Sequence, residues 1–246
     1  MMQTYRTIPQ LKSLARDALI GNFNITVTAT IVYVAIYLIV LRVLSPTTNI
    51  LWLQAGSLIV NLLSGVFLSG FAFMYINVIY GNRASVSQLF HGFKEDADKA
   101  IVIRLAYVVL ALICNLPLTV YELSAGANGS IIVRLLLAVL IPAATFLVTV
   151  PISQAFFLLQ DFPERRARDL LRASALLMRG NGLRFVLLTL SFLPLFLLCA
   201  LTLFLPSLWL LSYYRATMAA FYKDLIEVSH GVGTDAGQNR QPPAEG

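Results

Sequence analysis

LLRASALLMRGNGLRFVLLTLSFLPLFLLCALTLFLPSLWLLSYYRATMAAFYKDL, Leu170–Leu225, is the stretch whose reading decides the fold. Leu170, Leu171, Ser174, Leu177 and Met178 fall on one face of a helix whose other positions carry arginines. Such a helix lies in a membrane interface rather than crossing it. Gly180-Asn181-Gly182 stops it, and an apolar run from about Leu183 to Leu201 follows. A second run, about Pro206 to Lys223, returns to the polar edge at Lys223-Asp224. The module is therefore an interfacial helix followed by two spans.

The whole chain supports that reading. Charged residues make up 12% of its 246 residues and mean hydropathy is +0.78, which leaves too little polar surface for a soluble domain of this size. Uncharged runs extend over Ala18–Leu41, Val43–Asn82, Leu105–Tyr121, Leu135–Gln160 and Phe185–Tyr214. A span needs about 20 apolar residues, so the longest of these must tilt, kink or emerge from the bilayer. Arg6, Lys12, Arg16 and Asp17 precede a run of span length, which predicts no cleavable signal peptide. Cys114 and Cys199 both sit in apolar runs and read as packing residues.

The net charge of +6 follows the membrane, so it does not point to nucleic acid. With six spans, Arg6, Lys12 and Arg16 fall at the N-terminus; Arg83, Lys94, Lys99 and Arg104 between spans two and three; and Arg165, Arg166, Arg168, Arg172, Arg179 and Arg184 between spans four and five. The opposite side receives only Arg42 and Arg134. By the positive-inside rule both termini are cytoplasmic.

Similar openings recur upstream. Thr7-Ile8-Pro9-Gln10 and Ser85-Val86-Ser87-Gln88 have capping-box spacing, and Asp161-Phe162-Pro163-Glu164 repeats the pattern. Ile8, Leu11, Ala15, Ala18 and Leu19 give the first helix an apolar face; Val86, Leu89, Phe90 and Phe93 do so for the second. The expected fold is thus an all-α membrane protein of six transmembrane helices. These form three two-span units, each preceded by an amphipathic interfacial helix, as parallel repeats over residues 7–80, 85–160 and 161–228. Residues 1–228 form one polytopic domain. The tail 229–246 has no apolar periodicity and is expected to be disordered in the cytosol. Ser45–Asn49 and Glu122–Ser130 are the outer loops.

In the second span, Gly65, Ser69 and Gly70 form a small-residue seam that lets another helix approach closely. Asn115 and Pro117 mark a kink in the third span, while Pro142 and Pro151 interrupt the over-long fourth.

Residues in the C-terminal module resemble domain-of-unknown-function family 975, a group of bacterial integral membrane proteins. They are Ser174–Asn181, Leu190-Ser191-Phe192, Leu208-Trp209-Leu210, Tyr213-Tyr214 and Ala219–Leu225. Leu11–Asn22 resembles the family's opening. The chain departs from the family pattern at Phe204-Leu205-Pro206, where glycines are usual, and at Ser212, where proline is. The resemblance implies a bacterial cytoplasmic membrane location and supplies no mechanism. A more distant likeness, to membrane regions of glycerophosphodiester phosphodiesterases, hints at lipid or envelope work.

Catalytic machinery is not legible. The two histidines are His91 and His230, and no carboxylate sits mid-span. A nucleophile with its base, a metal-ligand set, a nucleotide motif and a cofactor fingerprint are all missing, so a non-enzyme without cofactors is expected. Arg215 stands out. It lies eight residues before Lys223, about 12 Å along a helix. Two readings compete: snorkelling towards phosphates, or a guanidinium facing a cytoplasm-open cavity that holds an anionic headgroup or a partner's carboxylate. Gln154 is its counterpart in the repeat, and Asn77 belongs to the same rim. The sequence therefore favours an accessory or scaffold protein that engages anionic lipid headgroups, or another membrane complex, from the cytoplasmic side. The alternative is a transporter or pore for a small molecule, lipid or peptide, with a central cavity lined by Asn61, Gln154 and Arg215.

Overall fold

The computed structural model describes residues 5–44, 50–126, 129–202 and 206–238. The first outer loop, Ser45–Asn49, and the turn at Phe204-Leu205 lie outside them. The described residues form helices and no strand.

The first helix, α1 (Ile8–Leu19), starts as its residues dictate: the Gln10 side chain accepts the backbone N–H of Thr7 at 2.8 Å, and Pro9 sits in the first turn. Gly21, at φ +83°, turns the chain into α2 (Phe23–Leu44). Leu11, Ala15 and Leu19 are buried on one face of α1, which packs on α3 (Ile50–Ile79) and on α11 (Ser207–Gln238).

Unbroken for 30 residues, α3 passes through two environments. Trp52, Leu58, Ile59 and Leu63 in its first half are exposed. Phe67, Phe71, Met74, Tyr75 and Val78 in its second half are buried. Tyr33 of α2 lies edge-on to Phe67 and Phe71, with ring centroids 5.4 and 5.5 Å away. The following segment, expected as one interfacial helix, is instead a 3-10 turn (Val86–Phe90) and a single α-turn, α4 (His91–Lys94). It doubles back so tightly along α3 that a Cβ on Gly70 would lie 2.0 Å from the Leu89 carbonyl oxygen. That contact leaves no room for a regular cylinder.

Helix α5 (Ala97–Ala125) continues through Pro117. The Asn115 amide is satisfied within the helix, donating to Ala111 O at 2.7 Å. Next comes α6 (Ile131–Thr149), which ends in a 3-10 turn at Val150–Ile152 because Pro151 has no N–H to offer. Buried Ser174 repairs the break: its Oγ accepts from Gln154 N at 3.1 Å and donates to Pro151 O at 2.9 Å. Helix α7 (Ala155–Asp161) then enters the core.

The third opening differs from expectation. Asp161 ends α7, where its Oδ2 accepts the Tyr222 hydroxyl, and α8 begins only at Ala167 (Ala167–Leu177). A carboxylate committed to Tyr222 cannot cap the next helix. The expected fifth span is two pieces, α9 (Gly182–Leu190) and α10 (Leu193–Leu201), divided at Ser191-Phe192 ahead of Pro194. Helix α11 runs on to Gln238, so residues 229–238, expected to be disordered, are helical; extending an existing helix needs no new nucleus. Residues 239–246 are not described.

Among the described residues, five helical segments are long and apolar enough to cross a membrane: Phe23–Val43, Gln54–Ile79, Ala97–Ala125, Ile131–Asp161 and Gly182–Leu201. Apolar helices of this kind mark a membrane protein. The sixth expected span falls on α11, whose Ser212, Arg215, Thr217, Lys223 and Asp224 keep it out of that group. Its core-facing residues, among them Ala216, Ala219, Ala220 and Phe221, are nevertheless the most buried run in the protein.

Candidate functional site

The second half of α3, the break before α7 and the first half of α11 meet around a cavity of about 350 Å³. Arg215 reaches it from α11. Its Nη1 donates to Thr30 Oγ1 of α2 at 3.3 Å, and its Cζ lies 3.8 Å from the centroid of the Phe71 ring. Thr30 is free to accept because its own hydroxyl hydrogen goes to Thr26 O at 3.0 Å. Tyr75 places its hydroxyl beside Ser212, Arg215 and Thr30, without a hydrogen bond of good geometry. Among the described residues no carboxylate pairs with Arg215. A guanidinium has five N–H donors; among the described residues one of them goes to a protein acceptor of good geometry, Thr30 Oγ1.

Gln154 faces Arg215's cavity from the opposite element. The residue is fully buried; its Nε2 donates to Ser153 Oγ at 3.0 Å, but its Oε1 has no partner among the described residues. Buried polar atoms are almost always satisfied, so an exception next to a cavity asks for a ligand donor. Phe156, Phe157, Phe185 and Tyr214 supply aromatic walls. The arrangement can therefore hold an oxyanion on Arg215 and a donor group on Gln154, within a shell that favours apolar matter.

Of the sequence candidates, Arg215 and Gln154 share this cavity. Asn77 does not: it closes the end of α3, donating to Phe73 O at 3.0 Å and accepting from Asn82 at 3.2 Å. Nearby Tyr80 stands over the Lys223 ammonium, 4.5 Å from its ring centroid; burial, then Asp161 and Glu227, raise its pKa above the ordinary phenol value. Asn61 lines a different cavity, between α3, α5 and α6. At Gly65 a Cβ would lie 2.5 Å from the Cβ of Arg104, and Ser69 accepts a hydrogen bond from Gln160 at 2.8 Å. Thr30, Phe71 and Tyr75 had no distinguishing mark in the sequence, since uncharged residues of these types recur throughout the apolar runs.

A family model described as "Protein of unknown function (DUF975)" matches residues 2–229. The chain belongs to the DUF975 family. The match spans α1 through most of α11, so the cavity residues of this DUF975 protein all lie inside it. Neither a curated protein nor a solved structure matches the chain. Among the described residues there is no cluster of three or more His, Cys, Asp or Glu side chains able to hold a metal, and Cys114 and Cys199 are free.

Proposed function

We propose that this protein is a non-enzymatic integral membrane protein that holds an anionic amphiphile in the Arg215 cavity and serves as an accessory or scaffold for lipid or for another membrane complex. One observation carries the reading: half-buried Arg215 lines an aromatic cavity with no carboxylate partner among the described residues, opposite Gln154, whose Oε1 has no partner among them either. An uncompensated internal cation costs several kcal/mol unless a ligand supplies the charge. The ligand class that fits has an oxyanion, a hydrogen-bond donor and an apolar portion, as acidic phospholipids with hydroxylated headgroups have.

Six crossings with both termini in the bacterial cytoplasm remain the topology proposed. The polar residues of α11 support a sixth crossing, since Ser212 and Thr217 are buried and Arg215 lines the internal cavity, while Trp209 is exposed outside. Interior-facing polar residues are the usual arrangement in a membrane bundle.

Holding is favoured over transport by Tyr107. Its hydroxyl donates to Ile152 O at 2.7 Å and its ring stacks on Phe156, closing the wall between the Arg215 cavity and the Asn61 cavity.

The test is native mass spectrometry of the full-length protein released from nanodiscs of mixed acidic and zwitterionic phospholipid. Wild type should retain acidic lipid, and Arg215→Gln should retain much less. Equal retention by a folded Arg215→Gln variant would refute the reading, and accelerated flipping of a labelled lipid in proteoliposomes would replace holding with transport.

A further inference from the structure

We propose that the cleft between α3, α5 and α6 is a second and separate site, for the phosphate and ester region of a glycerophospholipid. The cleft has a volume of about 370 Å³. One face of α5 lines it from Arg104 to Asn115, opposite Asn61 of α3 and Thr145, Phe146 and Thr149 of α6.

Arg104 is fixed as an anion contact would need to be. Its Nε donates to Asn61 O at 3.2 Å and its Nη2 to Asn61 Oδ1 at 3.3 Å, so the plane of the guanidinium is set by α3. Among the described residues Nη1 has no acceptor and no carboxylate pairs with this arginine. A fixed guanidinium with a free edge suits a phosphate oxygen.

Thr145 provides the second, independent observation. Its hydroxyl is shut off from solvent and has no hydrogen-bond partner among the described residues, whereas neighbouring Thr149 closes its hydroxyl onto the carbonyls of Thr145 and Phe146, both at 2.9 Å. Valine would have the same shape without that cost, so the hydroxyl is matched to an acceptor the protein does not supply. An ester carbonyl is such an acceptor.

The opening says where the ligand comes from. Leu112, at the lip, is 61% exposed, and Leu116 and Leu147 beside it are exposed as well. A cleft whose mouth is apolar admits molecules that diffuse within the bilayer. Arg104 lies five residues beyond Lys99 on α5, about 7.5 Å along the helix; its Cβ lies beside Gly65 and its head turns to Asn61, one turn further from the Lys99 end, so the guanidinium faces the interior of the cleft. The Tyr107–Ile152 hydrogen bond separates this cleft from the Arg215 cavity, so the two sites fill independently.

The experiment uses the full-length protein in nanodiscs containing a photoactivatable phospholipid with a diazirine near the ester end of one chain, followed by peptide mapping and titration. Labelling of α5 and α6 peptides around Leu112 and Phe146 is expected. Arg104→Gln should weaken it about tenfold, the loss of one charge-assisted contact. Thr145→Val, which removes a hydroxyl without a protein partner, should weaken it about fivefold. Arg215→Gln should leave it unchanged. Thr145→Val labelled like wild type overturns the proposal even if Arg104→Gln fails to fold. Suppression of labelling by inorganic phosphate alone assigns the cleft to a free anion and overturns the lipid assignment. Loss of labelling in Arg215→Gln shows a single shared site and overturns its separateness.

Discussion

Arg184 Nη2 lies 2.5 Å from Asp224 Oδ2, joining the start of α9 to the middle of α11 across 40 residues of chain. The other oxygen of Asp224 accepts the backbone N–H of Arg6 at 3.1 Å, and Arg184 also donates to Arg6 O at 2.5 Å. The Asp224 side chain is 3% exposed. It therefore holds three segments together: the entry to α1, the start of α9 and α11.

Asp224→Ala strands the Arg184 guanidinium and the Arg6 N–H. Breaking a buried pair from one side costs about 3–5 kcal/mol, and a loss of that order is expected in denaturant unfolding from detergent. Arg6→Ala leaves Arg184 to satisfy Asp224 and removes a side chain that is 36% exposed, so its effect should stay below about 1 kcal/mol.

Arg215→Met should separate stability from binding. The native residue gains a cation–π contact with Phe71, about 2 kcal/mol when desolvated, against a larger desolvation cost. Delipidated Arg215→Met is expected to melt at or above wild type, while added acidic phospholipid raises the melting temperature of wild type alone. Thermal shift with and without lipid checks both halves.

Gln154→Leu and Ser174→Ala should act in opposite directions although the residues touch. Leucine removes an unpaired buried oxygen and should stabilise the lipid-free protein by about 1 kcal/mol while weakening lipid retention. Alanine at 174 orphans Gln154 N and leaves Pro151 O without its donor; a loss of about 1–3 kcal/mol is expected in the same unfolding assay.

Gly70→Ala tests the tight return along α3. Its Cβ would meet the backbone of Leu89, which cannot rotate away, so destabilisation of about 1–3 kcal/mol or more is expected from thermal unfolding. Gly21→Ala, where nothing lies within 4 Å, should cost only about 1 kcal/mol, through its positive φ.

Long apolar runs and turn residues made the helical character and five of the membrane-length segments legible. Arg215 and Gln154 were legible for the same reason: a charged or amide side chain in an apolar run has to be accounted for. The rest depends on which faces meet. Asn61 reads like Gln154 in sequence, yet the register of α3 against α5 turns it to Arg104 and away from Arg215. Arg104 itself counted among the basic residues of a connection, although it stands in the second turn of α5 with its head in a cleft. Asp161 carried the letters of a helix cap, and only the fold reveals that Tyr222 occupies it. Thr30 and Tyr75 gain meaning from the packing of α2 and α3 on α11, a relation no local pattern encodes.

Because α3 runs unbroken from a first half that bares Trp52, Leu58, Ile59 and Leu63 to a buried second half, it is a stiff rod between the surface of the bundle and its core. A tilt of the first half would reach Phe71 and Tyr75 without a hinge to absorb it. On the proposed function, the hold of the Arg215 cavity on its ligand would follow the tilt of α3, and nanodiscs of different thickness test that.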